Sequence, residues 1–472
     1  MIDFPPWLHE AAEIGTSLVV AVGLLQILFY ILQLAFAAYA LHVRPPLLST
    51  NVLWQRYADL APPMAIVAPA YNEALTIIES VEALLALHYP EFEVLVINDG
   101  SKDETLRVLI DHYKLRPVQR YYELAVKNEP IRGLYANPDQ PRLLVIDKEN
   151  GGKADAMNAG INLARAPLVC VIDADTLLEA DALIRVVRPF IDEPAETIAV
   201  GGTIRIANGC RVEAGRVVEA RLPRNFLALI QTVEYSRAFL MARLGLSQMR
   251  VLMIISGAFG VFRRSTAIEV GGFSDNTVGE DFELVVKLHR HMRDQKRPYR
   301  ITYIPEPVSW TEAPESLDIL GNQRSRWQRG ALETYRKHRD MFLNPRYGRI
   351  GFLGFGQVWL VDVMGPIVEV AGYALVPPLW LLGLVSFDYL LAFIAVIFTF
   401  GVFVSVATLV LEEIQLRRVP RARDLATLTL AAVLENFGYR QINILWRVRG
   451  WWHFLRKKKG WGAMTRKGFQ RP

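Results

Sequence analysis

From Ile14 to Leu41 the chain carries no Asp, Glu, Lys, Arg or His. A run of that length can cross the roughly 30 Å hydrocarbon core of a bilayer even when tilted, because each helical residue advances the chain by about 1.5 Å. A transmembrane helix is predicted there. Asp3, Glu10 and Glu13 precede it where a signal peptide would place basic residues, so the helix is expected to be kept and not cleaved. Arg44 and Arg56 follow it, and the positive-inside bias puts the N-terminus outside and the chain after Leu41 in the cytoplasm.

Two further uncharged stretches, Val370 to Phe387 and Tyr389 to Leu411, flank Asp388 and predict a membrane hairpin. Arg417, Arg418, Arg421 and Arg423 then mark a return to the cytoplasm. Between Leu425 and Val448 the apolar pattern is broken by Glu435, Asn436, Arg440, Gln441 and Asn443, which are costly in lipid. That stretch reads as interfacial or re-entrant, and Arg346 to Leu360 reads as interfacial, with Phe352, Phe355 and Trp359 near one face. The domain layout expected is an N-terminal transmembrane helix over 1–45, a cytoplasmic domain over 46–345, interfacial and transmembrane helices over 346–448, and a basic cytoplasmic tail over 449–472.

Composition supports a membrane-embedded protein: 52% of residues are hydrophobic, and mean hydropathy is +0.19. The net charge of +5 does not argue for a nucleic-acid partner. After Glu435 the chain has ten Lys/Arg and no Asp/Glu, a tail suited to anionic lipid or phosphate. Cys170 and Cys210 stand alone and match neither a disulfide framework nor a zinc site.

Between Pro62 and about Asp340 short β-rich runs alternate with helical ones. Met64 to Pro69, Phe92 to Asn98, Leu143 to Asp147, Leu168 to Asp173 and Ile198 to Ile206 read as strands, giving an α/β sheet covered by helices. In such sheets ligands bind beyond the carboxyl ends of the strands. His112 to Gln140 is long for a connection and is expected to be a surface insertion.

The expected strand ends carry polar groups suited to chemistry. Tyr71-Asn72-Glu73 follows the first and Asn98-Asp99-Gly100-Ser101 closes the second; a carboxylate at such an end can cap a helix or accept from a nucleobase. Glu149-Asn150-Gly151-Gly152-Lys153 combines glycines that let a ligand approach the backbone with a point charge for phosphate at a helix start. Asp173-Ala174-Asp175 ends an apolar strand, and alternation puts both carboxylates on one side, where they can face one Mg2+ or Mn2+. Glu280-Asp281 opens a helix and offers a carboxylate that can take a proton from a hydroxyl. Gln323, Arg326 and Trp327 share a helix face, an aromatic platform with polar donors. Each motif alone is equally a cap, a loop or a packed surface.

Taken together and in this order, Tyr71-Asn-Glu73, Asp99, Lys153, Asp173-x-Asp175, Glu280-Asp281 and Gln323-x-x-Arg326-Trp327 resemble the family 2 inverting glycosyltransferases. The likeness is to their processive membrane branch of cellulose, hyaluronan and poly-N-acetylglucosamine synthases. The resemblance implies a nucleotide-sugar-binding domain of GT-A type inserted between N- and C-terminal transmembrane helices. It implies a UDP-sugar donor, with Tyr71, Glu73 and Asp99 holding the uridine and Lys153 and the Asp173/Asp175 metal pair holding the diphosphate. Asp281, beside Glu280, would be the base, and Gln323, Arg326 and Trp327 would line the acceptor and donor-phosphate side. The tail Trp461 to Gly468 is similar to the gating segment of these synthases, with Arg466 and Lys467 as the basic side chains for the diphosphate.

The spans are fewer than in a typical synthase, and no region resembles a cyclic-dinucleotide-binding domain, which leaves room for an export partner or a homo-oligomer. The expectation is a multi-pass protein of the cell inner (plasma) membrane, with catalytic domain and C-terminus cytoplasmic, that extends a β-linked polysaccharide. Two alternatives stay open: transfer of one sugar to a lipid acceptor, as in ceramide glucosyltransferase-like enzymes, and a non-catalytic membrane subunit of an export complex.

Overall fold

The computed structural model describes residues 4–43, 49–173, 176–416 and 421–457. It divides into a sheet unit, made of the described residues up to Ala228 that follow Val43 together with Leu252–Ala313, and a helical unit holding the rest.

Twelve strands build the sheet unit: β1 (Met64–Ala70), β2 (Phe92–Asp99), β3 (Arg116–Pro117), β4 (Ile131–Ala136), β5 (Leu143–Lys148), β6 (Leu168–Ile172), β7 (Leu177–Leu178), β8 (Thr197–Ile206), β9 (Arg211–Glu213), β10 (Arg216–Glu219), β11 (Phe259–Arg263) and β12 (Arg300–Thr311). Ten form one sheet in the order β3-β4-β5-β2-β1-β6-β11-β8-β12-β7, while β9 and β10 pair separately. The centre, β5-β2-β1-β6, is parallel. Parallel strands are covered on both faces and read as continuous apolar runs, which is why β5 and β6 are buried along their whole length. The helix Lys153–Leu163 is buried from Ala154 onward and lies so close to β1 that a Cβ on Gly160 would collide with Val67. Adding that methyl would overpack the core at a cost of about 1–3 kcal/mol.

The stretch His112 to Gln140 is not simply a surface insertion. It holds β3 and β4, and β4 pairs antiparallel with β5 to extend the sheet. Its Val126 is buried, with its N–H donating to Asn162 Oδ1 at 2.9 Å and its carbonyl accepting from Asn162 Nδ2 at 2.6 Å. Arg132 and Gly133 interrupt the apolar alternation of β4, so the strand leaves little pattern in the sequence.

In the helical unit three helices are long and apolar enough to cross a membrane: Pro6–Val43, Ile350–Leu381 and Phe387–Ile414. These make the chain a membrane protein. The middle one absorbs the stretch expected to lie separately at the interface. π-helical turns at Ile350–Gly354 and Val358–Val363 carry the chain into Gly365–Leu381, and Asp362, which broke the apolar run, is met by Arg447 at 3.3 Å. The polar stretch after Leu425 forms two helices, Ala422–Leu434 and Tyr439–Leu455, separated at Gly438, whose φ is +86°. Its polar side chains are paired within the unit. Glu435 accepts from Ser405 Oγ at 2.5 Å and from Arg237, Arg440 meets Glu369 at 2.8 Å, and Gln441 donates to Tyr373 Oη at 2.9 Å.

The helix Leu317–Lys337 belongs to this helical unit and not to the sheet unit. It packs along Tyr439–Leu455, with Gly321 against the Trp446 indole and Gly450 against the Ser325 carbonyl.

Candidate functional site

The parallel strands deliver their carboxyl ends to one edge. Ala70 pairs with Asn98 and Asp99 with Lys148, so Tyr71, Asp99 and the loop to Lys153 emerge together. Because β11 runs antiparallel to β6 and Phe259 pairs with Ile172, Gly257 arrives at the same edge as Asp173. The sheet therefore gathers groups far apart in sequence.

Lys153 stands at the centre. Its ammonium is ion-paired with Asp173, lies 3.8 Å from a Glu280 carboxylate oxygen and is 3.5 Å from the Gly257 carbonyl. The Lys153 side chain is 18% exposed and that of Asp173 28%, so both can be reached from solvent. Burial works against the ammonium, but the charges of Asp173, Glu280 and Asp281 outweigh it and raise its pKa above the usual lysine value.

Glu280 and Asp281 open the helix Glu280–Asp294, where backbone N–H groups favour negative charge. Their environments differ. Glu280 is buried, and burial pushes its carboxyl up to about 7 against the opposing pull of Lys153. Asp281 is half-buried, accepting from the Gly257 N–H through Oδ2 and from the Phe282 N–H through Oδ1, both at 2.8 Å. Asp281 is thus the fixed, partly accessible carboxylate of the pair.

Asp99 is buried and accepts from Lys148 Nζ at 2.6 Å and from the N–H groups of Gly151 and Gly152 at 3.0 and 2.8 Å. Lys148, fully buried, also meets Asp155 at 2.5 Å. At the neighbouring strand end Tyr71 is 44% exposed. The Glu73 carboxylate accepts from Thr76 Oγ1 at 3.0 Å, while its N–H donates to Thr105 Oγ1 at 2.9 Å. Asn72 holds a left-handed φ of +57°, its Oδ1 accepting from the Lys102 N–H at 2.8 Å.

Two residues of this site carry no flag in the sequence reading. Lys148 looks like the polar end of a strand, although a lysine directly after four apolar residues and an aspartate is a visible oddity. Gly257 follows Ser256 just before the apolar run of β11, a Ser-Gly turn signal whose place in the site appears only through the sheet.

Among the described residues no cluster of three or more His, Cys, Asp or Glu is arranged to hold a metal. Asp173 supplies hard carboxylate oxygens of the kind Mg2+ and Mn2+ take, and its pairing with Lys153 marks a position that accepts positive charge. Asp175, the second member of the expected metal pair, lies outside the described residues, as do Arg466 and Lys467. Gln323, Arg326 and Trp327 lie on the helix Leu317–Lys337 of the helical unit. Trp327 is 44% exposed beneath the Arg324 guanidinium, 4.4 Å from its ring centroid, and Arg324 is itself anchored to Glu234 at 2.6 Å.

Residues 65–271 match the family described as glycosyl transferase family 2. The chain is similar to a poly-beta-1,6-N-acetyl-D-glucosamine synthase of Staphylococcus aureus, with 31% identity over 265 residues, 56% of this chain and 53% of that protein. A protein of the same name from Staphylococcus epidermidis is 30% identical over 264 residues, with the same shares covered. The chain spans about half the length of the curated relatives it matches. Among solved structures, a mannosyltransferase from Pyrobaculum calidifontis in complex with GDP-Man and Mn2+ superposes with a TM-score of 0.55 at 17% identity, covering 96% of this chain and 100% of that one. That likeness is one of fold. With the strand order, the clustered carboxylates and these comparisons in hand, residues 65–271 are a glycosyl transferase family 2 domain on a mixed α/β sheet of GT-A type.

Proposed function

We propose that this chain transfers N-acetylglucosamine from UDP-N-acetylglucosamine to the growing end of a β-linked polysaccharide, at a site facing the cytoplasm. The observation that carries the proposal is the convergence of Lys153, Asp173, Glu280 and Asp281 at the carboxyl edge of the sheet. The named activity of the staphylococcal relatives supports the choice of sugar and of a polymeric product. The membrane helices and the basic residues after Glu435 support a multi-pass arrangement with a cytoplasmic catalytic face.

In the reaction, Asp281 takes the proton of an acceptor hydroxyl as its oxygen attacks the anomeric carbon. The bond from that carbon to the UDP oxygen breaks, and the electron pair leaves with the diphosphate. A single displacement turns an α-linked donor into a β-linked product. The Gly257 N–H holds Oδ2 of Asp281 in place, so the carboxylate is oriented before the acceptor arrives. Lys153 meets the charge that develops on the departing diphosphate. Asp173 is the described residue suited to hold a divalent cation, which when bound would neutralise charge on the same diphosphate. Tyr71, exposed at the neighbouring strand end, offers a ring on which a uracil can stack. The family resemblance alone assigns Gln323, Arg326 and Trp327 to the acceptor and donor-phosphate side and Arg466 and Lys467 to the diphosphate.

Asp281→Asn tests the assignment. It keeps the shape and one of the two backbone N–H bonds that Asp281 accepts but removes the base, so transfer should fall by about 10²–10⁴-fold while UDP binding is retained. Near-normal transfer in that variant would overturn the role of Asp281.

A further inference from the structure

We infer that His289 is a positioning residue for the proposed transfer: from inside the sheet unit it pins the segment that delivers Gly257 to Asp281. The inference rests on the reading of Asp281 as the base and adds a residue remote from the reacting atoms. The chain re-enters the sheet unit at Leu252 and reaches Gly257 through residues that belong to no helix or strand. A buried segment outside any ladder takes its place from whatever its polar groups bond to. Here both ends bond to one helix. The Gly257 N–H donates to Asp281 Oδ2 at 2.8 Å, and the Leu252 carbonyl accepts from His289 Nε2, also at 2.8 Å.

Asp281 and His289 are eight residues apart on the helix Glu280–Asp294, so they share a face and stand about 12 Å apart along its axis. The five residues from Leu252 to Gly257 can span about 17 Å when extended, enough to run from one anchor to the other. Between the anchors Met253 and Ile255 are buried, so the segment cannot slide without pulling apolar side chains from the core. His289 thereby sets where Gly257 meets the base.

The bonding of the ring follows from its partners. A carbonyl only accepts, so Nε2 carries the ring proton, and Nδ1 must then accept from Tyr299 Oη, 2.8 Å away. The Tyr299 ring also meets the imidazole edge-on, with centroids 5.4 Å apart. His289 is buried, and burial, helped by the charge of Arg293, pushes its pKa down to about 4. At neutral pH it is a fixed donor and not a proton carrier.

The test uses the full-length protein in detergent and reads kcat and KM for UDP release from UDP-N-acetylglucosamine, UDP affinity, and hydrogen exchange of the peptide containing Gly257. His289→Leu fills the space of the ring without a donor. It should lower kcat about 10- to 100-fold, as expected for a misplaced reacting group, with KM and UDP affinity unchanged. His289→Gln returns an N–H donor at the reach of Nε2 and should recover most of the rate. Tyr299→Phe keeps the imidazole and removes the donor that fixes its tautomer. It should show the same split at smaller size, and it decides the matter where His289→Leu does not fold. Exchange at Gly257 should quicken in His289→Leu and Tyr299→Phe and stay slow in His289→Gln. A histidine that only stabilises the core would instead lower the melting temperature and the number of UDP-binding sites, with kcat per remaining site unchanged. That pattern, or unchanged exchange at Gly257 in the folded variants, would overturn the inference. A wild-type protein that binds no UDP would overturn the nucleotide-sugar reading, while exchange at Gly257 would still show whether His289 holds the segment.

Discussion

The backbone N–H of Gly257 donates to Asp281 Oδ2 at 2.8 Å, and the same residue's carbonyl lies 3.5 Å from Lys153 Nζ. One peptide segment therefore holds the proposed base and the proposed diphosphate lysine in register. A Cβ at this position would meet Lys153 Nζ at 2.9 Å and Asp281 Oδ2 at 3.4 Å. The first of these is the free end of a flexible side chain, so the strain is relieved by moving the lysine and not by unfolding. Gly257→Ala is expected to fold normally, with an unchanged melting temperature, and to lose about 10- to 100-fold in transfer rate through misplacement of the reacting groups. An unchanged rate would show that Gly257 has no positioning role.

The sheet was largely legible in the sequence, because parallel strands covered on both faces leave continuous apolar runs. The expected Leu143 to Asp147 lies within the observed β5, Leu143–Lys148, and the expected Met64 to Pro69 within β1, Met64–Ala70. The acidic and glycine-rich segments at the ends of β2, β5 and β6 were visible for the same reason. What sequence spacing could not supply was Gly257, which reaches Asp173 only because β11 returns antiparallel beside β6. Nor could it show how fully Asp99 is engaged, since that depends on Lys148 turning inward between two carboxylates. Strand β4, between β3 and β5, was hidden by Arg132 and Gly133.

The buried Glu280 gives the protein a pH signature. Its folded pKa, pushed up to about 7, lies above the ordinary glutamate value near 4.3, so the folded state binds the proton more tightly than the unfolded chain. The stability from this group is present below the unfolded value and is lost as pH rises through about 7. Glu280→Gln removes the titration. Between pH 5 and 8, wild-type protein in detergent should lose more melting temperature than the variant, and parallel curves would contradict the assignment.

In the helical unit Glu435 is buried and ion-paired with Arg237, with Ser405 donating to the same oxygen. Removing one partner of such a pair leaves an uncompensated charge and typically costs about 3–5 kcal/mol. Glu435→Ala should therefore lower the melting temperature sharply without changing the UDP affinity of any protein that remains folded. A melting temperature equal to that of the wild type would show that the pair contributes nothing to the helical unit.

Polymer synthesis from a UDP-sugar is read out by the size of the product. Purified protein is incubated with labelled UDP-N-acetylglucosamine and Mg2+ or Mn2+, and the label is followed by size separation and glycosidase digestion. The expected result is UDP release coupled to high-molecular-mass, glycosidase-sensitive material. Label confined to a lipid bearing one sugar, or no metal-dependent UDP release, would contradict it.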